Sequence, residues 1–108
     1  MARPVYSRQF CAVTFAAPAT EVFILGDPST YVLRDITWLL SSDPSSGATL
    51  EVKLAGLLIW VQSQPSDELQ TGNQELRCVA PGPTTLSVEI AGALAAGNII
   101  VSGYELTP

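Results

Sequence analysis

The side chains that could do chemistry in this sequence are few: no histidine, two cysteines (Cys11 and Cys78), ten carboxylates, and five cations, Arg3, Arg8, Arg34, Lys53 and Arg77. Without imidazole the commonest general base is missing, and neither cysteine has a neighbour in sequence that would draw its thiol toward the thiolate. The carboxylates are scattered over outward strand positions and loops, so an acid and nucleophile pair of the glycosidase kind is not visible. Glycine-rich phosphate loops are absent, and two distant thiols without histidine do not make a tetrahedral zinc set. The expectation is a protein with no catalytic residues, no cofactor and no metal site, and hence not an enzyme.

One long β-rich run, Thr30 to Leu40, organises the rest of the chain. Val32, Ile36, Trp38 and Leu40 share one parity, which on a strand places them on one face, the face expected to meet the core. Arg34 has that parity too. Either a bulge resets the phase nearby, or the guanidinium sits against a protein surface and needs a carboxylate to offset its lost hydration. Asp35 is a poor intramolecular partner, since adjacent residues of a regular strand point to opposite faces.

At 108 residues the chain is read as a single domain, 1–108, large enough to bury a core without metal or disulfide support. Charged residues make up only 14% of it, against roughly 25% in typical soluble domains, which points to burial of uncharged surface in an assembly. A net charge of −5 argues against a phosphate-tracking surface, so nucleic acid is not an expected partner. No apolar run approaches the ~18 residues that span a bilayer, and the first residues lack the apolar core of a secretory signal. The expectation is a chain made in the cytoplasm, with no membrane partner. Two cysteines permit a disulfide if their strands are neighbours, whereas the lack of an export signal favours free buried thiols.

Alternation and turn signals divide the chain into eight strands. Arg8 to Ala17 places Cys11, Val13 and Phe15 on one parity, and Val22 to Leu25 forms a short second strand. Gly26-Asp27-Pro28-Ser29 turns the chain into the long run, as a hairpin or a corner between sheets. Ala48 to Leu54 alternates cleanly, with Ala48, Leu50, Val52 and Leu54 inward and Thr49, Glu51 and Lys53 outward. Leu57 to Gln62 is an apolar strand carrying Trp60, and Gln64 to Asn73 reads as the longest loop. Gln74 to Ala80, Thr84 to Ala91 and Asn98 to Leu106 complete the set, with Gly92 to Gly97 too short for a stable helix. An all-β fold follows: a compact antiparallel β-sandwich, eight-stranded and jelly-roll-like, with an immunoglobulin-like topology as the alternative. The expected core includes Val13, Phe15, Ile36, Trp38, Leu50, Val52, Leu86, Val88 and Ile90.

The stretches Ala80-Pro-Gly-Pro-Thr-Thr-Leu-Ser-Val-Glu-Ile90 and Asn98-Ile-Ile-Val-Ser-Gly-Tyr-Glu-Leu-Thr-Pro108, with Tyr31-Val-Leu-Arg-Asp-Ile36 and Trp60 before them, resemble small β-sandwich virion proteins of tailed bacteriophages. The resemblance covers most of the chain from about Tyr31 onward in short pieces. It implies a minor tail, head-decoration or fibre-like part, located in the virion, that works by assembly with copies of itself, as a trimer or higher ring, and with other capsid or tail proteins. The half-exposed strands Ala48 to Leu54 and Thr84 to Ala91 are the expected contact face, and Arg34, with Asp35 or Glu51 of a neighbour, is the expected ion pair across it. A carbohydrate-binding β-sandwich module, serving adhesion to host-surface glycans, is the alternative; it requires exposed aromatics, whereas both tryptophans fall in apolar strands.

Overall fold

The order of strand pairing explains the architecture. A computed structural model describes residues 5–26, 28–41, 47–64, 69–92 and 95–107. It contains β1 (Val5–Phe15), β2 (Ala19–Leu25), β3 (Thr30–Ser41), β4 (Ala48–Leu54), β5 (Leu57–Gln64), β6 (Leu69–Pro81), β7 (Thr84–Ala91) and β8 (Ala96–Leu106). First pairs with last in a nested series, β1 with β8, β2 with β7, β3 with β6 and β4 with β5, all antiparallel. The chain is thus one long hairpin of paired strands, curled so that β3 also pairs with β8 and β4 with β7. Two four-stranded sheets result, with orders β1-β8-β3-β6 (sheet A) and β2-β7-β4-β5 (sheet B). This is the eight-stranded jelly roll. Among the described residues no helix is long and apolar enough to cross a membrane.

The innermost hairpin turns on Ala55 and Gly56, with φ of 53° and 81°. Both central residues of a two-residue turn at positive φ match the twist of the flanking strands. Ala55 tolerates the left-handed region poorly, but its N–H donates to Thr85 O at 2.8 Å, which ties the turn to β7. Gly26 to Ser29 carries the chain from β2 in sheet B to β3 in sheet A, so the turn signal there marks a corner between sheets rather than a hairpin.

Alternation builds the core. Strand β4 is buried at every second residue, and Leu50, Val52, Leu86, Val88 and Ile90 of sheet B face Leu33, Ile36, Leu40, Ile99 and Val101 of sheet A. Burial of each such side chain contributes about 1.5–3 kcal/mol. Of the expected core, Phe15 and Ile36 are also buried, while Val13 and Trp38 are half-buried and pack against it.

Bulges in sheet A shift the phase. In β3 the register slips between Leu33 and Asp35 against both neighbours: against β8, where Gly103 and Ser102 are adjacent, Arg34 is the extra residue, whereas against β6 the extra residue belongs to β6, which has both Leu76 and Arg77 between Glu75 and Cys78. Tyr31 and Leu33 face inward before it, and Ile36 and Leu40 after it. Val32 therefore lies on the outer face, a correction to the parity expected from sequence, and Arg34 is exposed rather than set among the apolar residues. Gly103 of β8 is opposite Leu33, where a methyl group would overlap the Val32 carbonyl oxygen. In β1 the slip between Gln9 and Cys11 turns Phe10 into the core, edge-on to Tyr31 at 5.8 Å. The Tyr31 hydroxyl donates to Gly26 O at 2.7 Å and fixes the corner. Strand β6 starts at Leu69, so the second half of the expected Gln64 to Asn73 loop is strand, paired with β3.

Cys11 and Cys78 lie on β1 and β6, the two edges of sheet A. Three strand spacings separate those edges, about 14 Å, too far for the Cα approach below about 7 Å that a disulfide needs. Both thiols are free, and burial pushes the Cys11 thiol up to about 11.

Gly103→Ala is expected to lower stability by about 2–3 kcal/mol, through the displaced β3 backbone. Ala55→Asn is expected to raise it by about 0.5–1 kcal/mol by relieving the turn. Urea unfolding of both variants checks the two signs.

Candidate functional site

The β3 bulge determines what the outer face of sheet A presents. In a regular strand Arg34 and Asp35 would point to opposite faces; the extra residue of β3 against β8 turns both outward, correcting the expectation from sequence. On the neighbouring edge strand, Glu75 and Arg77 flank buried Leu76 and share the outer face. Arg34, Arg77, Val32 and Val79 line a shallow depression of about 320 Å³. The Arg34 guanidinium lies 5.9 Å from the centroid of the exposed Tyr104 ring.

This face is ordered in rows running across the strands. Val32 is opposite both Tyr104 and Val79, giving an apolar row. Arg34 and Arg77 make the next row. Asp35, opposite Glu75 and Ser102, makes an acidic one. Beyond it Thr37 is opposite Asn73, whose side-chain N–H donates to the Thr37 hydroxyl at 2.8 Å. Among the described residues the one ion pair is Arg8 with Glu105, so Arg34 and Arg77 have no carboxylate partner there.

The outer face of sheet B is different. Glu51 is directly opposite Glu89 on one side and Val61 on the other, and Glu89 accepts from the Thr20 hydroxyl at 2.8 Å. Lys53 is opposite Ser87 and Leu58. Along the two edge strands β2 and β5, Ile24 (78% exposed), Val22, Leu58 and Val61 stand in solvent. Glu51 therefore lies on the opposite side of the sandwich from Arg34 and Asp35.

The aromatic side chains are mostly withdrawn. Trp38 on sheet A and Trp60 on sheet B meet between the sheets, ring centroids 5.0 Å apart, at the side closed by β5 and β6. The Trp38 indole covers Gly72, where any side chain would overlap it. Its Nε1 is buried with no hydrogen-bond partner among the described residues, an arrangement that costs about 1–3 kcal/mol. Tyr31 is buried, and Tyr104 has Arg34 against its ring. Among the described residues no group of three histidine, cysteine or acidic side chains converges as a metal site would require.

A separate polar cluster closes the end of the sandwich near the β2–β3 corner. Glu105 accepts from the Ser29 hydroxyl at 2.8 Å and pairs with Arg8, whose guanidinium also lies 5.9 Å from the Phe10 ring centroid. The Ser29 hydrogen bond first, and then Arg8, hold the Glu105 carboxyl below its ordinary value.

No protein-family model matches the sequence, and no curated protein does. Among solved structures, latent dimeric PorU from Porphyromonas gingivalis is similar at a TM-score of 0.55 and 14% identity, over 87% of this chain and 10% of that one. At that identity the likeness is one of fold, and this chain spans only 10% of the larger protein's length. Two further similarities are looser. The CBM36-1 domain of a multidomain xylanase from the hindgut metagenome of Trinervitermes trinervoides gives a TM-score of 0.44 and 12% identity, over 95% of this chain and 86% of that one. The sugar-binding C-terminal domain of EclA gives 0.42 and 9%, over 99% and 79%. Both are too distant to bear on function.

Sequence reasoning singles out Arg34, Asp35 and Glu51; the structure brings the first two together and sets Glu51 apart. It misses Glu75 and Arg77, although the alternation Glu75, Arg77, Val79 about buried Leu76 and half-buried Cys78 is a readable signal.

Because its carboxyl is held low, Glu105 stabilises the folded state fully above its ordinary value of 4.5, and that contribution is lost as pH falls through the lowered folded-state value. Glu105→Gln is expected to flatten the acid limb of the stability–pH curve in that window, read by urea unfolding at stepped pH.

Proposed function

We propose that this protein is a non-catalytic structural component of a tailed-phage virion, made in the host cytoplasm and incorporated into the particle, where it decorates or completes the capsid or tail by binding copies of itself and other structural proteins. The observation that carries this reading is the kind of apolar surface left open: aliphatic, spread along the edges of sheet B at Val22, Ile24, Leu58 and Val61, rather than aromatic. Exposed aliphatic side chains on broad sheet faces suit contact with another protein surface. The jelly roll is itself an architecture of capsid proteins, though the fold serves many functions. The virion part of the reading rests on the resemblance of Tyr31–Ile36, Ala80–Ile90 and Asn98–Pro108 to small phage proteins.

The competing reading, adhesion to host glycans, calls for aromatic rings exposed beside Asp, Asn or Gln. Among the described side chains Trp38 and Trp60 pack on each other between the sheets, and the exposed ring of Tyr104 is partly covered by Arg34. That arrangement favours assembly over sugar binding.

Density-gradient purification of particles followed by mass spectrometry tests the proposal. The protein is expected to band with intact particles, and Ile24→Glu, a change at an exposed position that leaves folding intact, is expected to lower its copy number there. Absence from the particles, or retention of a defined sugar on a glycan array by the isolated protein, would overturn it.

A further inference from the structure

The outer face of sheet A carries a charge pattern complementary to itself. Its basic row, Arg34 and Arg77, runs beside its acidic row, Asp35 and Glu75, with one residue of each sign on β3 and one on β6. A two-fold axis lying in the contact plane, directed across the strands and passing between the two rows, exchanges them. Arg34 then faces Asp35 of a second copy and Arg77 faces Glu75, each pair occurring twice. The same operation lays the apolar row, Val32 and Val79, over the Thr37–Asn73 pair, whose side chains already bond each other, so the apolar residues meet a pair that needs no new polar partner.

We infer that two copies of this chain associate through the outer faces of their A sheets, about a two-fold axis, with Arg34 and Arg77 of each copy paired to Asp35 and Glu75 of the other. This rests on the assembly reading above and names the partner and the residues.

Size and closure agree with charge. Four strands of 11–13 residues make a face of about 19 Å by about 40 Å, or roughly 750 Å². A standard stable interface takes roughly 800 Å² from each partner. A copy of sheet B is a poor mate for itself, because its adjacent Glu51 and Glu89 would meet their own images with only Lys53 nearby. Sheet A against sheet B of the next copy would satisfy the arginines. However, the two outer faces lie on opposite sides of one sandwich, so that contact repeats as an open stack instead of closing. The two-fold mode closes on itself and leaves the aliphatic edges of sheet B free for the particle.

Light scattering of the full chain after size exclusion, across a concentration series, tests the contact. The native chain is expected to be a dimer that weakens as salt is raised. Arg34→Glu with Arg77→Glu is expected to be monomeric, as is Asp35→Lys with Glu75→Lys, while an equimolar mixture of the two forms a heterodimer. All four positions lie on the outer face, and thermal melting confirms folding of each variant. Arg77→Glu alone, at an exposed edge-strand position, is expected to weaken the dimer about tenfold or more and carries the test if a double variant fails to fold. A monomeric native chain, a trimer or ring, a dimer indifferent to these reversals, or a mixture that stays monomeric would overturn the inference. None of those results bears on whether the protein is present in particles, which the gradient experiment decides separately.

Discussion

An extra residue in an interior strand is harder to accommodate than one at an edge, because hydrogen bonds on both sides must shift with it. Strand β3 has β8 on one side and β6 on the other, and both registers slip at Arg34: β3 carries the extra residue against β8, and β6 answers with an extra residue of its own against β3. Much else depends on that slip. It keeps Tyr31 and Leu33 inside on one side of the bulge and Ile36 and Leu40 inside on the other, so a twelve-residue strand serves the core along its whole length. Glycine is required at 103, where the β3 backbone presses closest. It also sends Arg34 and Asp35 out on the same side, which a regular strand could not do.

The two faces of the sandwich have different characters. Sheet A shows water a face of balanced charge, two arginines beside two carboxylates, at the junction of β3 and β6. Sheet B shows an acidic pair at its centre and aliphatic side chains at its edges. The aromatic side chains close the sandwich instead of forming a sugar platform: Trp38 and Trp60 fill the side between β5 and β6, and Phe10 and Tyr31 fill the end near the β2–β3 corner. A protein so arranged has its largest rings holding the sheets together and its exposed apolar surface in small aliphatic groups. Burying the aliphatic groups is favourable, and the cost of desolvating the charges is offset where the partner supplies matching shape and the opposite charge.

Much of this architecture is legible in the residues themselves. The clean alternation of Ala48 to Leu54 and Thr84 to Ala91 places two central strands of sheet B and their inward residues correctly, since a period of two admits no other reading. The dense turn signal at Gly26 to Ser29 marks the corner. Arg34 itself is a signal, because a cation in phase with apolar residues conflicts with burial and a bulge is one way to resolve it. What the conflict does not reveal is the side to which the phase resets, so parity alone puts Val32 inside and Asp35 opposite Arg34. The β1 bulge leaves no comparable mark, since Phe10 and Cys11 are both apolar and either could be the buried one. The start of β6 is hidden because Leu69 to Asn73 is polar and Gly-containing, yet pairing with β3 and the cover of Trp38 over Gly72 hold it as strand. The nested pairing of first strand with last is a property of the whole chain, and local patterns narrow it only to a class.

The claim most in need of a direct measurement is that this chain works as an assembled part, joined to its own kind through sheet A. A reconstruction of the intact particle at side-chain resolution measures it. The expected result is paired copies with the outer faces of their A sheets in contact and the arginines of each copy against the carboxylates of the other. Single copies whose outer A-sheet face looks onto solvent, or particles with no density for the protein, would contradict it.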